Sequence, residues 1–162
     1  TARDWEASTG GAEALGVRRV VVRTGVVLGP GGGALAKMLT PFKMFMGGPM
    51  GSGSQPFPWI HMADQVGAML HLMERDELSG PFSLAAPAPP EQKVFAKALG
   101  RALGRPAFMP APGAMLKLVL GEMAGEMLLA GQKAEPRNLL ASGYSFRFPD
   151  LEPALHDILA RG

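Results

Sequence analysis

Two stretches of the sequence combine residue types that could hold a small molecule. The first, Gly29-x-Gly31-x-x-Ala34, follows a β-branched run and opens an apolar periodic one. In that setting the bare amides at a helix start can approach a pyrophosphate. A dinucleotide loop also needs an acidic residue about 20 positions on, to hold a ribose. Here that stretch is Gly51-Ser52-Gly53-Ser54-Gln55, which has no carboxylate. A phosphate loop would end in Gly-Lys-Ser/Thr, whereas this one runs Gly33-Ala34-Leu35. It reads as a crossover connection. The second stretch is Gly51-x-Gly53-x-Gln55-x-x-x-Trp59-Ile60-His61-x-x-Asp64. Gln55 offers amide hydrogen bonds, Trp59 a flat apolar wall and His61 a titratable imidazole, a set that suits a polar small ligand. A second reading stays open beside it: Trp59 in the core, His61 bonded to backbone and Asp64 favouring a helix start.

Other chemistries find little support. His71 and His156 each lie within a helical stretch and lack a second ligand at metal-binding spacing, so no metal site is expected. No Gly-x-Ser-x-Gly elbow occurs. Without cysteine there is no disulfide, cysteine zinc site or thiol nucleophile, which fits a cytoplasmic protein. Sixteen Lys and Arg against fourteen Asp and Glu leave a net charge of only +2. The basic residues are scattered and aromatics make up 7%, so nucleic acid is not an expected partner. The most apolar stretch, Met115 to Leu129, is interrupted by Lys117, Glu122 and Glu126. It falls short of the roughly 20 residues that a bilayer requires, so no membrane partner is expected. Its methionines suit either a packed core face or an adaptable partner surface. The start, Thr1-Ala2-Arg3-Asp4-Trp5-Glu6, has neither an apolar leader nor an initiator Met, and we expect a chain that begins within a longer protein.

The elements that must position these residues alternate between helix and strand, which predicts an α/β fold. A helix over Trp5–Leu15, weakened by Gly10-Gly11, precedes a strand over residues 19–28. That strand is apolar almost throughout, the mark of burial on both faces of a parallel sheet. A helix over Ala34–Met46, broken or kinked at Pro41, leads into the irregular Gly47–Pro58 loop. Then come a short extended Trp59–His61, a helix over Ala63–Arg75 and a strand over Phe82–Ala85. Helices are expected over Glu91–Leu103, Gly113–Ala130, Arg137–Ala141 and Asp150–Leu159, and the alternating Tyr144-Ser145-Phe146-Arg147-Phe148 predicts a strand.

The motifs occur in a recognisable order. Arg23-Thr24-Gly25-Val26-Val27-Leu28-Gly29 is followed by Gly32-Gly33-Ala34-Leu35, by Gly48 through Gln55, and by Trp59-Ile60-His61. Ala86-Pro87, Arg105-Pro106, Leu120-Gly121-Glu122, Gly131-Gln132 and Gly143 through Pro149 complete the series. The chain resembles the C-terminal half of the atypical, extended short-chain dehydrogenases. Within them it is most similar to the NAD(P)-dependent epimerase/dehydratase subfamily described as cell-division-inhibitor-like or nucleoside-diphosphate-sugar epimerases.

The resemblance implies the C-terminal part of a Rossmann-type parallel sheet over residues 1–80 and a small α/β substrate-binding region over residues 81–162. It implies NAD or NADP as cofactor, bound mainly by a part preceding this chain, with Thr24 and Gly25 passing near the nicotinamide. Gly25 reads equally well as a bulge or a close backbone approach. Gln55, Trp59 and His61 become the substrate-facing residues, and no catalytic residue is expected here. The family's Tyr-x-x-x-Lys pair would fall at or before residue 1, and Tyr144 has Phe148 where the lysine would stand. Two departures bear on substrate: Val26 replaces an Asn, and Phe57 replaces the Arg that grips sugar-nucleotide phosphates in relatives. A guanidinium fork is the natural phosphate grip, so a smaller or less anionic ligand is implied. The expected function is thus a part of a sugar-type epimerase or oxidoreductase, inactive by itself. A non-catalytic nucleotide-binding or interaction module is the other reading. An apolar strand flank left open predicts a homodimer or strand-exchanged assembly.

Overall fold

The strand expected over residues 19–28 is one extended run with two successive partners. In the computed structural model, which describes residues 2–107 and 134–162, it divides at Gly25 into β1 (Val20–Thr24) and β2 (Val26–Leu28). β1 pairs in parallel with β4 (Gly80–Leu84), Val20 opposite Gly80. β2 pairs in parallel with β3 (Trp59–His61), Val26 opposite Trp59. The exchange is abrupt: the Gly25 amide donates to Leu84 O at 2.9 Å and the Val26 amide to Pro58 O at 2.8 Å. A Cβ on Gly25 would lie 2.9 Å from Pro58 O, so only glycine lets the two backbones meet here. The close-approach reading of Gly25 is the one this backbone shows.

Helices make the crossovers that parallel strands require. The start of the chain forms α1 (Ala2–Ser8) and α2 (Gly11–Ala14), the expected single helix having parted at Thr9-Gly10. Between β2 and β3 runs α3 (Gly33–Lys43), which keeps Pro41 within its last turn. It closes with Phe45 in left-handed backbone at φ 60° and a bond from the Met46 amide to Pro41 O. α4 (Met62–Glu74) joins β3 to β4, and its last carbonyls are capped by Arg18, which donates to Leu72 O and Met73 O. α5 (Gln92–Leu103) ends at Gly104 in left-handed backbone, and α6 (Arg137–Ala141) and α7 (Leu151–Ala160) complete the described elements. The helix expected over Gly113–Ala130 lies outside the described residues.

Burial follows from the alternation of β2 and β3. Val26, Leu28 and Trp59 face a cluster built with Leu35, Phe42, Phe95, Leu99, Leu155 and Ile158 from α3, α5 and α7. Val27 and Ile60 face the other way, onto Ala68 and Leu72 of α4, Phe82, Leu84 and Leu139. Burial on both faces therefore holds for β2 but not for β1. Val22, Arg23 and Thr24 are exposed, and β1 pairs only with β4 among the described residues. Residue 80, where the sequence suggests a division, opens β4, which is paired with β1 along its length.

The strand expected at residues 144–148 does not form. The alternation is real, with Tyr144, Phe146 and Phe148 half-buried and Ser145 and Arg147 exposed. The backbone donors go instead to a carboxylate, as described next.

Candidate functional site

Asp64, on the first turn of α4, is 1% exposed and wholly occupied. Its Oδ1 accepts from the Arg147 amide at 2.7 Å and the Tyr144 hydroxyl at 3.0 Å, and its Oδ2 from the Phe148 amide at 2.8 Å. One carboxylate thus replaces the ladder that a neighbouring strand would have supplied. Tyr144 also donates to the Asp64 carbonyl at 3.1 Å and lies against Gly67, where a Cβ would meet its hydroxyl at 2.7 Å. Burial pushes the Tyr144 phenol well above its ordinary pKa, and the charge and hydrogen bond of Asp64 push the same way. A phenol so held is a poor acid or base near neutrality, in keeping with the lack of a lysine partner.

His61 caps the same helix, its Nδ1 accepting from the Ala63 amide at 3.0 Å. That leaves the proton on Nε2, 3.3 Å from Asp157 Oδ2 of α7, while the ring stacks on Phe148 at 4.0 Å. The contact is too far off line to count as a hydrogen bond, so both atoms are buried without an aligned partner. Burial lowers the His61 pKa from 6.5, and the nearby charges of Asp157 and Asp64 only partly offset it. The folded state therefore binds fewer protons than the unfolded chain just below pH 6.5, and stability rises with pH there. His61 should contribute fully above pH 6.5 and lose its contribution as the pH falls toward the lowered folded value. Denaturant melts between pH 5 and 7.5 should show that slope, and His61→Asn should flatten it; an equal slope in both proteins would refute the assignment.

Trp59 has no exposed surface and sits in the core cluster with its indole Nε1 unpaired. The flat wall expected there is not presented to solvent. Gln55 is half-buried at the mouth of the glycine-rich loop, where its Nε2 donates to Met50 O at 2.8 Å and its Oε1 accepts from Ser52 Oγ at 3.0 Å. Gln92, which sequence reasoning missed, holds the same loop from α5 by accepting from the Met50 amide at 2.7 Å. Its 1% exposure set in a polar N-terminal turn carries no sequence signal. Phe57, at the place of the expected phosphate-gripping Arg, is 1% exposed and packs on Phe95 at 4.1 Å. Val26, at the place of the expected Asn, is also core. Neither position presents a side chain to a ligand in this structure.

Thr24 is exposed at the carboxyl end of β1, 3.4 Å from Gln65 Nε2. The carboxyl ends of strands are where open α/β sheets receive ligands. The Gly29–Gly31 loop opens onto a separate cavity of about 330 Å³ with aliphatic walls from Leu35, Leu39, Leu103 and Ile158. Among the described residues no group of His, Asp and Glu is placed to hold a metal ion. No described helix is long and apolar enough to cross a membrane.

Parallel strands joined by helical crossovers define the class: the C-terminal part of a Rossmann-type α/β protein. Residues 111–158 match a family model described as "Domain of unknown function (DUF1731)". Epimerase family protein SDR39U1 of Bos taurus is 51% identical over 144 residues, covering 88% of this chain and 49% of the relative. Epimerase family protein SAB0724c of Staphylococcus aureus is 38% identical over 157 residues, 97% of this chain and 52% of the relative. A crystal structure of human epimerase family protein SDR39U1 (isoform 2) with NADPH superimposes with a TM-score of 0.81 at 48% identity, covering 89% of this chain and 49% of that one. A nucleoside-diphosphate sugar epimerase from Corynebacterium glutamicum gives 0.75 at 28% identity, covering 98% and 30%. By sequence and fold this chain is a relative of the epimerase family proteins, and it spans about half the length of the curated relatives it matches.

Proposed function

We propose that this chain forms the substrate-side part of a cytoplasmic NAD(P)-dependent epimerase or oxidoreductase and is inactive by itself. The likeness to the human protein crystallised with NADPH carries this reading. Hydride exchange at a carbinol carbon is the chemistry that a bound nicotinamide supplies. Thr24 and Gly25, at the carboxyl end of β1, bind beside the nicotinamide. Gln55, with Ser52 and Ser54, faces the substrate from the glycine-rich loop. Trp59 and His61 serve the same site from beneath by fixing the end of that loop. No side chain here acts as the acid or base, since Tyr144 is engaged with Asp64. With Phe57 buried, the substrate is a small carbinol with little anionic charge.

The test is titration with NADPH of the protein expressed from its complete reading frame, compared with residues 1–162 alone. Binding by the complete protein and little by residues 1–162 is expected. Micromolar binding together with turnover by residues 1–162 would overturn the reading.

Residues 1–162 in isolation should also associate. The second edge of β1 has no partner among the described residues, and Val22 is exposed beside it. Such an edge pairs readily with another chain. Light scattering should give a dimer or strand-exchanged assembly; a clean monomer at micromolar concentration would contradict this.

A further inference from the structure

A helix at a protein surface normally turns its charges outward and its apolar residues inward. In α4 the arrangement is reversed. Its inner side holds the buried Asp64 with Ala68 and Leu72, and His71 is half-buried with its Nε2 3.0 Å from Ser142 Oγ. By helical periodicity Met62, Val66, Met69, Leu70 and Met73 form a stripe roughly 100° wide, centred opposite that side. All five are between 44% and 67% exposed. A helix that is apolar all round belongs to an interior, and a contiguous apolar stripe marks an interface. The surface continues past α4 onto the sheet. Val22 of β1 stands opposite Phe82, which lies in one cluster with Ala68 and Leu72, yet Val22 is itself exposed. The second edge of β1 is unpaired among the described residues.

We propose that the outer face of α4 is an interface within the complete protein, covered by an apolar helix from the part that precedes Thr1. The stripe and the free edge both border β1, so one strand–helix unit can serve both. Its strand extends the sheet at β1, and its helix lies over Val22 against α4. This chain supplies the C-terminal part of the fold and about half the length of its relatives, which leaves a stretch of similar size to furnish such a unit. A second copy of this chain laid stripe against stripe would leave the edge of β1 open. The inference draws on packing alone and needs neither the cofactor nor the substrate proposed above.

The experiment puts the photoreactive amino acid p-benzoylphenylalanine in place of Met69 in the protein from its complete reading frame, and maps the crosslinks by mass spectrometry. The crosslink should join position 69 to a peptide that precedes Thr1 in the same molecule. In that protein Met69→Asp should lower the melting temperature by about 5 °C or more, because a carboxylate would have to be buried at the interface. On a face open to water the same change would shift it little. If M69D does not fold, Met69→Ala should still lower the melting temperature by a few degrees, through the packing it removes. A crosslink within residues 1–162, one joining two molecules, or none at all overturns the proposal, and so does an unchanged melting temperature. Nicotinamide binding is a separate readout, so any of these results leaves the proposed function in place.

Discussion

Asp64→Ala is expected to cost about 3 kcal/mol or more of folding stability, because a charged acceptor serving several donors is lost from the interior. Two backbone amides, those of Arg147 and Phe148, would be left without their partner, and the Tyr144 hydroxyl would lose one of its two. Tyr144→Phe removes only the hydroxyl and should cost about 1 kcal/mol. Urea denaturation of both variants measures the contrast. A D64A variant as stable as Y144F would mean that Phe146 and Phe148 hold the segment by packing alone. The wider point concerns how the tail is fastened. His61 and Asp64, three residues apart, hold α4, the 144–148 segment and α7 together through stacking on Phe148, the carboxylate bonds and the approach to Asp157.

The second large effect is at Trp59. Trp59→Ala should cost about 3–5 kcal/mol, since it empties a fully enclosed site between α3, α5 and α7. Trp59→Phe should cost clearly less, about 1–3 kcal/mol, because the phenyl ring still fills much of the site and leaves a smaller cavity. The indole N–H that phenylalanine lacks has no partner, so its removal relieves a buried donor. Thermal and urea melts give the stability change. Weakened substrate or cofactor affinity in W59F at near-native stability would instead restore the ligand-wall reading of Trp59.

Local patterns made most elements legible. β-branched and apolar runs located β1, β2 and β4, and the 3.6-residue period located α4 and α5 to within a residue or two. What sequence could not show was where hydrogen bonds go between distant segments. Nothing in Val20–Leu28 reveals that its partner changes at Gly25, because that depends on where Pro58 and Leu84 arrive. The alternation in 144–148 told which side chains turn inward, yet it was silent on the amides, which Asp64 captures from about 80 residues away. At the candidate site the same limit applies. Residue types in Gln55, Trp59 and His61 suggested a ligand surface, whereas burial, which depends on α5 and α7, draws Trp59 and His61 into the core. The phosphate-grip position was legible as a departure from the family, but the packing of Phe57 on Phe95 was not.

The change of partner at Gly25 also sets an order of assembly. Val26 meets Trp59 across a much shorter span of chain than separates Val20 from Gly80. Closing a shorter loop costs less entropy, and local contacts form sooner. The β2–α3–β3 unit should therefore settle first and present Val20–Thr24 as a ready template. β4 can add only after α4 has brought the chain back across the sheet. Kinetically, the spine of the sheet is built from its middle outward, and pulse-labelled amides of Val26–Leu28 should gain protection before those of Val20–Thr24.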